Sequence, residues 1–464
     1  MVTTLHNPIN QTNMKRIYSF FAAILFCGIM TAQTAADSVY VFLDDMADAG
    51  IYLPAPPDTA SPIFATDFLT WQYGKTIHPT ARGAQASEES AFGAEEMCRV
   101  YSQALGINLS LQTTPAICRF LLKNTLDGHF ATIKAKEKYM RKRPFAQMNE
   151  HTWGKYDDEA FLRTNGSYPS GHTATGWATA LAAVEIAPEL QDTILRRGFQ
   201  YGESRWIVGA HWRSDVEAGY LCASASVARC HANPLYYTEL DAARAEYRRI
   251  KGYKSSELPT LDSIGLPDGI RILEKPVDSA SYRYYGDIVA SYLAFSTSTP
   301  EQKQMAAAGG PTGTSDLMLY FSPAFPQELN KKNNPELYTL LDYTLKQLAV
   351  SSRSVKHRHF RLRPYLQLGI NTLIPGDEKK LRHSSSYPSG HSTRGWGVAL
   401  VLTELFPEYQ NQILSKGYEY GYNRVVAGYH YASDVQAGRL VAAYTIARLH
   451  SDPEFLRLLN AAKK

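Results

Sequence analysis

Apolar residues along this chain recur three and four positions apart, the spacing that lines one face of a helix, and no run alternates strongly enough to argue for a strand. ELQDTILRRGFQYGESRWIVG (residues 189–209) carries that spacing, and TATGWATALAAVEIA (Thr173–Ala187) is Ala-rich with no internal Pro. SDVEAGYLCASASVARC opens with Ser214 followed three residues later by Glu217, a capping-box pattern that returns as Ser433 and Gln436. It predicts helices beginning at Asp215 and Asp434. The expected fold class is all-α.

The pattern is written twice. SYPSGH at Ser167 recurs at Ser386, 219 residues on, with Gly-Trp four residues further in both places. YGESRWIVGAHWRSDVEAG (Tyr201–Gly219) matches YGYNRVVAGYHYASDVQAG (Tyr420–Gly438), and KEKYMRKRPF (Lys136–Phe145) matches KHRHFRLRPY at an offset of 220. ARCHANPLYYTEL and ARLHSDPEFLRLL are also in register. Two copies of one domain are therefore expected, residues 37–252 and 279–464, joined by a linker over 253–278 that is rich in Ser, Pro, Gly and Asp.

Residues 1–36 read as a signal peptide, with translation starting at Met14: Lys15 and Arg16 precede the apolar run Ile17–Met30, and the small-residue stretch TAQTAADS follows. That run is shorter than the roughly 20 residues needed to span a bilayer. Cleavage after Gln33 or Ala36 would give a periplasmic or secreted protein with no stable membrane insertion. Export permits disulfides among Cys98, Cys118, Cys222 and Cys230, and the pairing is open. Cys222 with Cys230 is the least favoured, because eight residues of helix would separate them by about 12 Å. The 48 basic against 44 acidic residues leave a formal charge of only +4, so nucleic acid is not an expected partner and any anion affinity must be local.

Three clusters recur in order. The first is Lys136, Arg143 and Pro144, matched by Lys356, Arg363 and Pro364; a continuous helix would put Lys and Arg on one face about 10 Å apart. The second is Pro-Ser-Gly-His, with Ser170, Gly171 and His172 matched by Ser389, Gly390 and His391, placed where a loop enters a helix and backbone N–H groups bind anions. The third is Arg205, His211 and Asp215, matched by Arg424, His430 and Asp434. An Asp bound to one imidazole nitrogen fixes the tautomer and leaves the other nitrogen as a nucleophile or base. Guanidinium forks and a lysine suit a tetrahedral dianion, and two histidines can divide attack on phosphorus from protonation of the leaving alcohol. A metal site of His172, His211 and Asp215 leaves the basic residues unexplained, and no carboxylate cluster calls for magnesium. Metal-free phosphate ester cleavage is expected, with no cofactor.

KEKYMRKRP, GSYPSGHT and SRWIVGAHWRSD together resemble the three motifs of the type 2 phosphatidic acid phosphatase superfamily, in particular the bacterial class A nonspecific acid phosphatases. The resemblance covers nearly all of the first copy, including YLPAPP near its start, and the second more weakly. It implies two tandem copies of a helical acid phosphatase or vanadium haloperoxidase-like domain. It also implies that Lys136, Arg143, Ser170, Gly171 and Arg205 bind phosphate, that His211 is the nucleophile forming a phosphohistidine, that Asp215 orients it, and that His172 is the general acid. In the second copy Lys356, Arg363, Ser389, Gly390, Arg424, His430, Asp434 and His391 match those roles. That copy departs at Ser385 for Gly166, Ser392 for Thr173, Arg394 for Thr175 and Asn423 for Ser204, without removing a residue the chemistry needs.

The expected protein is an exported acid phosphatase acting on small phosphomonoesters at two sites, optimal below neutral pH. Its copies are expected to pair within the chain, or the chain to form a homo-oligomer. The alternatives are one catalytic copy beside a phosphate-binding or structural one, a vanadate-dependent haloperoxidase, and a lipid phosphate phosphatase.

Overall fold

A computed structural model describes residues 38–253 and 258–463, so the expected signal segment lies outside the described residues. Among the described residues all regular structure is helical. No helix among them is long and apolar enough to cross a membrane.

In the first copy α1 (Pro115–Tyr139), α2 (Gly171–Ile186), α3 (Gln191–Ile207) and α4 (Arg213–His231) pack on one another, and α5 (Pro234–Lys251) lies along α1. The second copy repeats this with α6 (Pro335–Arg358), α7 (Gly390–Leu405), α8 (Gln410–Val426), α9 (Ala432–Leu449) and α10 (Pro453–Ala462). Helix α2 is the central one, buried from Thr173 to Ile186, and its small side chains set how near its neighbours come. A Cβ at Gly176 would lie 2.3 Å from Tyr201 Cδ1, and one at Gly395 2.5 Å from Tyr420 Cδ1. These contacts explain why Gly-Trp recurs in both copies. Overpacking of this kind costs about 1–3 kcal/mol.

Another contact is kept by exchange. Gly128 of α1 faces Ala178 of α2, whereas in the second copy Leu348 of α6 faces Gly397 of α7. The small residue has changed sides.

The two copies share one core. Short turns are traded across the junction: Ala49–Tyr52 packs on α8 and Gly269–Ile272 on α3. Asp48 N donates to Asn411 Oδ1 at 2.8 Å, and Asp268 N donates to Asp192 Oδ1 at the same distance. Ile272 and Leu273 are buried, so the second repeat begins inside the stretch read as a linker. The composition there is loop-like, but the apolar Ile-Arg-Ile-Leu run (270–273) supplies the packing.

At the centre of the junction the rings of His231 and His450 stack with centroids 3.7 Å apart and 4° between planes. Each ring pairs with a glutamate of its own copy, His231 Nε2 with Glu185 Oε1 and His450 Nε2 with Glu404 Oε2, both at 2.9 Å. A partner placed by a 219-residue shift, residue for residue, is the signature of a pseudo-twofold interface.

Cys222 and Cys230 share α4, in agreement with the sequence reading. The Cys98 and Cys118 sulfurs lie 3.7 Å apart, and the four cysteines among the described residues are free.

Candidate active site

Helix α1 does not continue to Arg143. It stops at Tyr139, where Met140 takes a left-handed conformation (φ 39°), and Arg143 is extended ahead of Pro144. Lys136 and Arg143 therefore converge from a helix end and a loop rather than from one helical face. Lys136 Nζ donates to Gly166 O at 2.6 Å. Burial and the Arg143 charge hold its pKa well below the usual lysine range. Arg143 Nε donates to Leu162 O, and its Nη1 lies 2.8 Å from His211 Nε2.

Helix α2 begins at Gly171, two residues ahead of the Ala-rich stretch read from Thr173, with Ser170 as its cap: Ser170 Oγ accepts from Thr173 N at 3.2 Å. Helix α4 begins two residues earlier than predicted, at Arg213, and Ser214 is not its cap. Asp215 occupies the third helical position and accepts from Trp212 N at 2.8 Å, and Asp434 does the same for Tyr431 N at 2.9 Å. Ser214 Oγ instead donates to Asp67 Oδ2. One carboxylate thus caps the helix and faces His211, a double use that the serine pattern hides.

His211 Nδ1 is 3.7 Å from Asp215 Oδ2, beyond hydrogen-bond reach. Ser167 stands between them, its Oγ 3.3 Å from His211 Nδ1 and 2.5 Å from Asp215 Oδ2. Arg143 has only hydrogens to offer, so His211 Nε2 must accept and the ring proton must sit on Nδ1, pointing along Ser167 to Asp215. The other Asp215 oxygen accepts from Arg141 Nη1 at 2.6 Å, and Arg141 Nη2 also binds Asp67 at 2.8 Å. Burial pushes the Asp215 carboxyl up, but Arg141 and the surrounding hydrogen bonds overcome that and hold it below the ordinary range. Arg141 occupies one oxygen of this carboxylate, and Ser167 and Trp212 N the other.

His172 Nε2 lies 3.3 Å from the carbonyl oxygens of both Ser90 and Ala91, and its ring stacks on Tyr201. Burial, then the charges of Arg205 and His211, hold it well below the usual histidine range; burial, Arg143 and Lys136 do the same to His211. Arg205 is fully buried and paired with Asp157 Oδ1 at 2.7 Å, while its Nε and Nη1 have no hydrogen-bond partner among the described residues.

Lys136, Arg143, Gly171, His172 and His211 line one cavity of about 430 Å³, whose outer wall is Phe92, Tyr156 and Phe161. Ser170, Arg205 and Asp215 are not among the residues that line it.

The second copy reproduces the arrangement. Lys356 Nζ donates to Ser385 O at 2.7 Å, Arg363 Nη1 is 3.2 Å from His430 Nε2, and His430 Nδ1 is 3.8 Å from Asp434 Oδ2. Ser386 stands between that pair, 2.5 Å from Asp434 Oδ2. Arg361 bridges Asp434 and Asp287, each at 2.7 Å. Ser389 caps α7, and His391 Nε2 is 3.0 Å from Gly310 O.

Ser167 and Ser386, Arg141 and Arg361, and Asp67 and Asp287 are site residues that sequence reasoning passed over. The two arginines recur at the same 220-residue offset as the lysine, and that recurrence was the available signal.

The PAP2 superfamily profile matches the chain twice, over residues 116–238 and 337–456. A non-specific acid phosphatase of Providencia stuartii is 41% identical over 234 residues, which is 50% of this chain and 93% of that protein. One from Salmonella typhimurium is 37% identical over 222 residues, 47% of this chain and 88% of the relative. An acid phosphatase of Zymomonas mobilis is 34% identical over 222 residues, 48% of this chain and 82% of the relative. The chain belongs to the PAP2 superfamily, with the family domain present in both halves. It is an acid phosphatase.

Proposed function

We propose that each copy is a separate catalytic centre that hydrolyses small phosphomonoesters through a phosphohistidine. His211 and His430 would be the nucleophiles, and His172 and His391 the general acids. The observation that carries this reading is the Arg143 contact on His211 Nε2, 2.8 Å long, which fixes the nucleophilic tautomer before substrate arrives. Arg363 on His430 supports the same reading for the second copy.

A phosphate entering the cavity would draw Arg143, Lys136 and Arg205 onto its oxygens and uncover Nε2. The P–N bond forms as the P–O bond to the alcohol breaks, and His172 gives its proton to the departing oxygen. Water then attacks phosphorus, returns a proton to His172 and releases His211. Asp215, acting through Ser167, stabilises the charge that appears on the ring. The dianion neutralises the cations that depress the histidines, so His172 gains its proton most readily below neutral pH; activity peaking above about pH 8 would count against this.

Export is part of the proposal. Its support is the apolar run 17–30 behind Lys15 and Arg16, together with relatives that are bacterial acid phosphatases.

The test is to mix enzyme with a phosphate ester, quench within milliseconds in alkali, which preserves phosphohistidine, and map the added phosphate by mass spectrometry. Label on the peptides of His211 and His430 is expected. Label on a serine or an aspartate would overturn the mechanism.

A further inference from the structure

The second site is not a duplicate of the first in charge. In the first, the wall beside Gly171 is His129, whose Nδ1 would lie 2.9 Å from a Cβ at that glycine. The residue matching His129 is Ala349, and the room it leaves is taken by Arg394, which replaces Thr175. Arg394 Nη1 lies 3.3 Å from the corresponding position at Gly390, on the same wall as Lys356 Cε at 4.0 Å. Its guanidinium makes one long hydrogen bond, 3.4 Å to Gly390 O. The groups bearing on its charge are Tyr420 and Arg353, with no carboxylate among them.

The neighbouring arginine has also lost its counter-ion. Arg205 is neutralised by Asp157 at 2.7 Å. Arg424 is 1% exposed, lies over the Tyr429 ring at 4.6 Å, and makes no ion pair among the described residues, while its Nε and Nη1, like those of Arg205, have no hydrogen-bond partner among them. Asp377, its acidic neighbour, acts on it through charge alone and forms no ion pair with it among the described residues. A buried guanidinium with unpaired donors is expensive to keep unless a ligand completes it.

We propose that the second site takes phosphate esters carrying a second anionic group beside the scissile phosphate, such as diphosphates and bisphosphates, whereas the first takes simple monoesters. This rests on the reading of the second copy as a phosphate site. Arg394 binds the added charge, while Lys356, Arg363 and Arg424 hold the phosphoryl group transferred to His430. With inorganic pyrophosphate the bridging P–O bond breaks, His391 protonates the departing phosphate, and water releases the second phosphate from His430.

The experiment separates the sites. His211→Ala leaves the second and His430→Ala leaves the first, and each is assayed with inorganic pyrophosphate and with p-nitrophenyl phosphate. The ratio of kcat/KM values, pyrophosphate over aryl ester, should be about tenfold higher for His211→Ala, as one charge-assisted hydrogen bond supplies. Adding Arg394→Thr should remove that difference, mainly through KM. Equal ratios, or a ratio unmoved by Arg394→Thr, overturn the proposal. If His211→Ala hydrolyses neither compound, catalysis by the second copy fails and binding decides the inference: calorimetry on His211→Ala should find pyrophosphate held tighter than orthophosphate, and Arg394→Thr should abolish the preference. No preference overturns it.

Discussion

Arg141 Nη1 lies 2.6 Å from Asp215 Oδ1, and Arg361 stands 2.7 Å from Asp434 in the second copy. Arg141 is not among the residues lining the first cavity, and each arginine holds the carboxylate that faces the reactive histidine and ties it to a second buried aspartate. Arg141→Gln should destabilise the protein by about 3–5 kcal/mol, because two buried carboxylates lose their counter-charge. In a His430→Ala background, which reads the first site alone, it should lower kcat more than it changes KM. An unaltered melting temperature would show that Asp215 is held by something else.

His172, His211, His391 and His430 are all held well below the ordinary histidine value of 6.5, by burial first and then by neighbouring arginines. In the unfolded chain they take up protons near that value, so the unfolded state binds more protons and stability is lost as pH falls below about 6.5. Orthophosphate neutralises the cations and should restore more stability at pH 5 than at pH 8. Melting curves at both pH values, with and without phosphate, check this; equal protection would contradict it.

At the junction the signs are mixed, and only His450 runs opposite to the active-site histidines. Glu404 lies 2.9 Å from His450 and also accepts from Lys463 and Tyr237, with His231, Glu185 and Arg244 around it. Burial lowers the His450 pKa, but Glu404 outweighs it and the net shift is upward, so the pair's contribution is complete below the ordinary 6.5 and fades as pH rises through the shifted value. Glu404 is held below its ordinary 4.5 by His450 in spite of burial, so its share is lost as pH falls under that value. His231, lowered by burial and then by His450, loses its share below 6.5. Glu404→Gln should cost about 3–5 kcal/mol, and Glu404→Gln with His450→Gln less than the sum of the singles. Additive losses in urea melts would show that the pair is not coupled.

Across the junction Trp396 Nε1 donates to Ser224 Oγ at 3.1 Å. The residue matching Ser224 is Ala443, and the buried Nε1 of Trp177, the counterpart of Trp396, has no partner among the described residues. Ala443→Ser should therefore stabilise the protein by about 1 kcal/mol, and Ser224→Ala should destabilise it by about 1–3 kcal/mol. If Ala443→Ser is neutral or destabilising in the same melts, the pseudo-symmetric hydrogen bond does not form.

Much of this architecture is legible in the sequence because duplication gives each motif its own control: a Lys or His that returns at a fixed offset is separated from surface scatter. The all-helical class, a helix entered at each Pro-Ser-Gly-His and the three motif clusters follow from that comparison. The start of α4 does not, because Ser214 looks like a cap while Asp215, pulled inward by Arg141, does the capping. Nor does the break after Tyr139, where a left-handed Met140 gives no strong composition signal. The Ser167 contact joins residues 48 positions apart, so local spacing could not reveal it. His231 and His450 recur at the right offset, but a pairing across two copies depends on how the copies face each other.

The central claim is that the chain carries two independent phosphohistidine centres, and the most direct measurement is hydrolysis of p-nitrophenyl phosphate by His211→Ala, His430→Ala and the double variant. Each single variant should keep the activity of its intact site, and the double variant should lose at least about 10⁴-fold, the scale on which removal of a nucleophile is felt. If His211→Ala alone abolishes turnover, or the double variant remains active, the account of two centres is wrong.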